Sequence, residues 1–238
     1  MSFAIPLPGD ASGRRRIGRP RHTTVASPLS PRDQVLDAAG RLFVTRGFAA
    51  TSTRQIADKV GIRQASLYYH FAGKQEILAA LLERTLRPTL DQVDRIRALT
   101  AEDSSPTALY LLALVDIDTL ATAPHNIGLL ACIPDVMSSE AAKEYAASRR
   151  DLLRAYRDLV ATVVDESRSD DLDPDELGEL VLQLVEAVIG IRASGRIVTM
   201  STVHAVASSC LRLCGVESAA LATARSIAQD RLDAFTAG

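Results

Sequence analysis

An all-α fold is predicted by three features of this chain of 238 residues. Apolar side chains recur three and four residues apart beyond Pro31, no alternating run suggests a strand, and the segments open and close on residues that start and stop helices. The expected organisation is a three-helix domain with a helix-turn-helix over 31–75 and a larger helical domain over 76–238, both behind a basic arm over 1–30. With 47% apolar and 24% charged residues, the composition excludes wholesale disorder and collagen-like repeats. The apolar stretch from Leu109 to Val115 is far shorter than the ~18 to 20 residues of a membrane helix. The opening MSFAIPLPGD lacks the basic start and apolar block of a secretory signal, so a cytoplasmic location is expected. Three cysteines, Cys132, Cys210 and Cys214, do not make a disulfide framework and are expected to be free thiols.

The arm carries five of the ten prolines within residues 1–31, together with the run from Arg14 to Arg21. It has too little apolar surface to offset the entropy of ordering, so disorder is expected. From Pro31 onward, Val35, Leu36, Ala39, Leu42 and Phe43 form one helical face that ends near Gly47. Ser52 and Gln55 then make an S-x-x-Q capping box, opening a short helix that turns Ile56, Ala57 and Val60 inward and stops at Gly61. A third helix runs from about Arg63 to Phe71 without a Ser, Thr, Asp or Asn to cap it. After Gly73 the spacing predicts one helix from Gln75 to Leu99, bent at Pro88. Ser105 as cap and Pro106 in the first turn open a helix through Leu109, Leu112, Val115 and Leu120. Pro124 and Pro134 bracket a short segment, and Ala141 to Val164 reads as a long amphipathic helix. Asp173 and Pro174 cap a helix whose apolar residues from Leu177 to Ile189 cover more than one stripe, a face seldom satisfied by one neighbour. Thr202 to about Phe235 forms a last helix, or a pair broken near Gly215.

Charge is unevenly shared, with residues 1–75 at +8 and the remainder at −10. That is the footprint of a polyanion-binding module on a body with another job, or of a merely solvated basic tail. The two short helices around Gly61 sharpen the first reading: a tight glycine turn followed by a helix bearing polar and aromatic residues is the geometry of a helix-turn-helix reader. Leu67 and Phe71 can anchor the second helix, leaving Gln64, Ala65, Ser66, Tyr68, Tyr69 and His70 for a DNA groove and its phosphate walls. Gln64 can pair with adenine, Ala65 can meet a thymine methyl, and Ser66 is small enough to let the helix sit deep. The tyrosine hydroxyls suit phosphates, as does Lys74 at a helix N-terminus. Plain core packing with Leu67 is the alternative for both tyrosines, and for Tyr68 above all.

The stretch LFVTRGFAATSTRQIADKVGIRQASLYYHFAGKQEIL resembles the N-terminal domain of the TetR family of bacterial transcription regulators, in register over about residues 33–82. The family pattern is met by Leu42 and Phe43, Gly47 and Phe48, Thr51 to Thr53, Ile56 and Ala57, Gly61 and Ile62, Leu67 to Phe71, and Lys74 to Ile77. By this resemblance Arg54, Gln64, Ala65, Ser66, Tyr68 and Tyr69 fall where family members touch DNA. Thr53, His70 and Lys74 fall where they contact phosphates. Arg63 departs from the frequent serine, leaving open a phosphate or base contact there. The resemblance implies an N-terminal three-helix DNA-binding domain and a C-terminal helical domain for ligand binding and dimerisation. It further implies a homodimeric repressor on a palindromic double-stranded operator, released by a small-molecule effector. No cofactor or metal is expected.

Gly18, Arg19, Pro20 and Arg21 look like the core of minor-groove AT-hook segments, so Arg19 is a further candidate DNA contact, the alternative being a solvated tail. In the body, Leu177, Val181, Leu184 and Val188 are the candidate dimer contacts, with burial in the chain's own core as the other reading. Candidate ligand-pocket residues are Leu112, Asp116, His125, Asn126, Cys132, Met137 and Tyr156, each of which also suits ordinary packing. No nucleophile elbow, P-loop or dinucleotide fingerprint occurs, and the four histidines form no di-iron pairing, so an enzyme is not expected. Cys210 and Cys214, one turn apart, could take a soft metal with His204 but suit core thiols better. The competing class is a ligand-independent architectural protein that prefers A·T-rich DNA.

Overall fold

In a computed structural model of the chain, residues 29–167 and 173–236 are described, and among them every regular element is helical. The arm with Arg19 lies outside the described residues. The head begins with α1 (Pro31–Arg46), where Ser30 accepts a hydrogen bond from the Asp33 amide at 3.1 Å. Both bonds of the expected capping box open α2 (Thr53–Val60): the Gln55 amide donates to Ser52 Oγ at 3.3 Å, and the Ser52 amide to Gln55 Oε1 at 2.8 Å. Gly61 then turns the chain with φ of +79°, a conformation in which a side chain would be strained. The third helix, α3 (Gln64–His70), starts without a side-chain cap, as its sequence predicts. Leu36, Phe43, Ile56, Leu67 and Phe71 close the head's core, each such side chain contributing about 1.5–3 kcal/mol by leaving water.

The expected single helix from Gln75 to Leu99 is three pieces, α4 (Lys74–Glu83), α5 (Arg87–Leu90) and α6 (Val93–Leu99). The reason is steric. Proline has no N–H to donate to the carbonyl four residues behind it and its ring clashes with that carbonyl, so the helix stops at Arg84 instead of bending, and the chain restarts with Pro88 in a first turn that needs no donor there. The expected boundary at 75/76 falls inside α4, whose Ile77, Leu78, Leu81 and Leu82 are buried while the helix packs on both α1 and the body.

The body is built around α7 (Ser105–Thr122), which is buried on nearly every side. Its cap residue is Ser104, one earlier than expected, with Ser104 Oγ 3.2 Å from Thr107 Oγ1. Around α7 pack α9 (Ala142–Ser167), α10 (Pro174–Ala193), α11 (Met200–Leu213) and α12 (Ser218–Thr236). Gly215, at φ of +78°, separates the last two, which resolves the sequence's open choice in favour of a pair. At Gly178, α10 rides so close to α9 that a Cβ there would lie 3.1 Å from the Arg157 Cα. Among the described residues no single helix is long and apolar enough to cross a membrane.

Head and body meet at a corner. After α7 the chain enters a 3₁₀ segment (Pro124–Cys132) and then α8 (Pro134–Met137). His125 and Asn126 take φ of +55° and +54°, each costing roughly 1–2 kcal/mol for a residue with a side chain. Polar contacts on both sides offset this. His125 Nε2 lies 2.8 Å from Asp37 Oδ1 on α1, and Asn126 Nδ2 donates to the Ile189 carbonyl on α10 at 3.0 Å. Arg192 donates to the carbonyls of Leu120 and Ala123 at 2.6 and 2.7 Å, holding the end of α7. Gly40 on α1 admits Ile127, whose Cγ2 would be 3.1 Å from a Cβ there.

Candidate nucleic-acid interface

The exposed side of α3 presents Gln64, Ala65, Ser66, Tyr68 and Tyr69 to solvent, with Tyr69 87% exposed and Tyr68 49%. A large aromatic ring left mostly in water is available for a partner. Across the turn, Gln64 Nε2 donates to Thr53 Oγ1 at 3.0 Å, and the Tyr68 hydroxyl lies 3.2 Å from the same oxygen. This ties the N-terminus of α2 to the first turn of α3 and fixes Gln64 and Tyr68 before any partner arrives. His70 is half-buried, its ring edge-on to Tyr69 with centroids 5.3 Å apart. Arg54 in the first turn of α2 and Arg63 at the entry to α3 are exposed. Within residues 29–75, seven Lys and Arg face three Asp and Glu.

Lys74, the candidate phosphate contact at the start of α4, already has partners within the head. Its Nζ donates to the Phe48 and Ala49 carbonyls at 2.8 and 3.4 Å and sits 4.3 Å from the centre of the Phe48 ring. Its pKa is lowered by burial. The ammonium therefore pins the loop between α1 and α2 against the start of α4, and Thr51 to Thr53, Tyr68 and Gly73 line an open cleft beside it.

The body holds a buried polar cavity that the sequence only half revealed. It lies between the break that follows α4, helices α7, α9 and α10, and the 3₁₀ segment, lined by Thr85, Leu86, Asp116, Leu120, Gly128, Tyr145, Leu152, Leu182, Glu186 and Ile189. Its water-fillable volume is about 10 Å³, room for about one water. Of the seven expected pocket residues, Asp116 lines it. Tyr156 stands behind, donating to Asp116 Oδ2 at 3.0 Å, while Thr89 donates to Oδ1 at 3.1 Å. Burial raises the Asp116 pKa to about 7 against the pull of those two hydroxyls. The others do not line it: Leu112 is core, His125 and Asn126 form the corner, Cys132 is exposed, and Met137 packs half-buried on the core. Sequence reasoning missed Tyr145, Arg149 and Glu186. Arg149 Nε and Nη2 each donate to a Glu186 oxygen at 3.0 Å. The available signal was a glutamate inside the apolar run of α10 and a tyrosine and arginine one turn apart on α9.

Three of the four expected dimer contacts are spent within the chain. Leu177, Val181 and Val188 are buried, because the wide apolar face of α10 is covered by α7, α9, α11 and the 3₁₀ segment. Leu184 is half-buried. The apolar side chains left in water are Leu180 on α10, Ile197 in the following loop, and Met200 and Leu213 on α11. Cys210 and Cys214 are buried thiols, pushed up by burial to about 12 and about 11, and Cys210 Sγ lies 3.9 Å from the Val181 carbonyl. His204 Nδ1 lies 2.9 Å from the Tyr110 hydroxyl instead of joining them.

A basic three-helix head that offers a short, pre-set helix with a tyrosine largely in water defines the helix-turn-helix class. The model for "Bacterial regulatory proteins, tetR family" matches residues 35–81. The crystal structure of Mycobacterium smegmatis AmtR is 33% identical and superposes with a TM-score of 0.76, covering 90% of this chain and 98% of that one. The chain belongs to the TetR family. Among curated relatives, the transcriptional repressor KstR2 of Mycolicibacterium smegmatis is 43% identical over 68 residues, 29% of this chain and 31% of that protein. The transcriptional activator FasR of the same organism is 38% identical over 100 residues, 36% of this chain and 46% of its own. The chain thus matches less than half the length of these two curated relatives.

Proposed function

We propose that this chain is a one-component transcription regulator, a repressor that binds a palindromic operator as a homodimer in the bacterial cytoplasm and is released by a small molecule. The observation that carries the reading is the exposed face of α3, where Gln64 is held by Thr53 and Tyr69 stands free. Family membership supports DNA as the partner. The effector reading is supported by the cavity, whose wall includes Thr85 and Leu86 at the break after α4, the helix shared by head and body. A ligand that widens the cavity has a lever on the reading head, provided it binds the two arrangements unequally.

The dimer surface in this reading is the outer side of α10 and α11, around Leu180, Leu184, Met200 and Leu213. Two heads related by a twofold axis would then meet half-sites about one turn of DNA apart, ~34 to 36 Å. The parent chain is expected to sediment as a dimer at micromolar concentration and Leu180→Asp as a monomer, since the leucine is 52% exposed and its replacement leaves the monomer core intact. A parent that sediments as a monomer sinks the dimer. The function itself is tested by a protection map on the DNA upstream of the chain's own gene. One protected palindrome is the expected result. Uniform coating of A·T-rich DNA would support the architectural alternative and overturn the repressor.

A further inference from the structure

We infer that the cavity between the break after α4 and helices α7, α9 and α10 takes a small aliphatic cation, of the alkylammonium or amidinium class, with its N–H groups on Asp116, Glu186 and the Tyr145 hydroxyl. This rests on the ligand-responsive reading above and names the chemistry of its effector.

The first support is an unused hydrogen-bonding group. Tyr145 is 4% exposed and lines the cavity, and among the described residues its hydroxyl has no hydrogen-bond partner. The hydroxyl is not sealed from water, so a bound donor or acceptor would take the place of a water there. The second support is the sign of the charge. Asp116 is fully enclosed, yet its two partners are the neutral hydroxyls of Thr89 and Tyr156. The nearby cation, Arg149, is taken by Glu186 and also lies 3.6 Å from Glu179. The cavity wall itself holds two carboxyl groups and no cation, so a cation that draws the proton from Asp116 gains an ion pair there and an anion does not. The third is the shape of the rest. Leu86, Leu120, Leu152, Leu182 and Ile189 wall the cavity with aliphatic groups, and no aromatic platform accompanies Tyr145. A short alkyl body fits that wall; a flat aromatic ligand does not. The small enclosed volume keeps the ligand small and requires the wall to give when it enters. Thr85 and Leu86 lie in the break between α4 and α5, outside both helices, and are the place for that.

The test uses the full chain at neutral pH, with n-propylammonium as probe and propanol and propionate as size-matched neutral and anionic controls. Calorimetry is expected to show saturable binding of propylammonium alone, with a rise in melting temperature beyond that given by equal sodium chloride. Asp116→Asn should weaken binding about tenfold or more. Tyr145→Phe, which keeps the ring and so keeps the fold, should weaken it several-fold. Binding of propionate in place of propylammonium, or equal affinity in the parent and both variants, overturns the inference. Release of the protected DNA fragment is read separately. Propylammonium that binds but leaves DNA bound supports the site and counts against its role as effector, whereas DNA release by another metabolite with no amine binding sinks the inference and keeps the repressor.

Discussion

Tyr69→Ala and Gln64→Ala are each expected to weaken operator binding ten- to a hundredfold, roughly 1–3 kcal/mol, while leaving the melting temperature of the protein nearly unchanged. The two halves of the expectation have one cause. Tyr69 lies almost wholly in water and Gln64 is exposed on the same face, so neither contributes to the core, and alanine is the better helix former. The variants should differ in kind. Gln64 is pre-oriented by Thr53 and suited to a base edge, so its loss should relax preference at one operator position. Tyr69, if it meets a phosphate, should lower affinity for every sequence alike and leave the ranking of operators intact. Titration of labelled operator and random duplex at fixed salt separates the two outcomes. Unchanged affinity in the double variant would remove α3 as the reading helix.

The second large effect concerns stability and pH. Asp116 ionises near 3.8 when unfolded and near 7 when folded, so between those values the folded chain holds the proton and the unfolded chain does not. Stability from this group is therefore fullest at low pH and is lost as pH rises, the loss being complete above about 7. The gap corresponds to an order of 4 kcal/mol. Burial is its main cause, Glu186 adds to it, and Tyr156, Thr89 and Arg149 oppose it. Asp116→Asn cannot ionise, and Thr89, which also reaches Thr119 Oγ1 at 3.2 Å, can turn its hydroxyl to accept from the new amide. The unfolding free energy of the variant is expected to gain on the parent by several kcal/mol between about pH 4 and about pH 8, at fixed protein concentration. A difference that stays constant with pH would mean that the carboxyl is as acidic in the fold as in water.

What was legible in the sequence follows the range of the interactions involved. The head was readable because its signals are local: Ser52 and Gln55 cap within four residues, Gly61 turns in place, and Leu67 and Phe71 share one helical face. The break after α4 was misplaced because proline acts four residues behind itself, on Arg84, and not at its own position. The internal partners of Lys74, the Phe48 and Ala49 carbonyls, were not legible because they lie some 25 residues upstream and are backbone atoms without a residue signature. The cavity was half legible. A carboxylate within the apolar run of α7 pointed to Asp116, but its neighbours come from five separate elements, and no spacing rule brings Tyr145 and Glu186 to the same place. Three of the four candidate dimer residues lie inward because periodicity identifies the more apolar side of α10, and that side is the one its own chain covers.

The corner at His125 and Asn126, with the shared α4, bears on attempts to exchange reading heads between related regulators. A graft that joins foreign residues up to position 75 to this body would set a new α1 against Ile127 and His125. Those residues are shaped to Gly40 and Asp37. Unless the donor has a small residue and an acceptor at those two positions, the chimera would hold its head at another angle and span the wrong length of DNA, however faithfully its third helix was copied. Re-targeting is better done by changing side chains on the outward face of α3, where nothing in the body can notice.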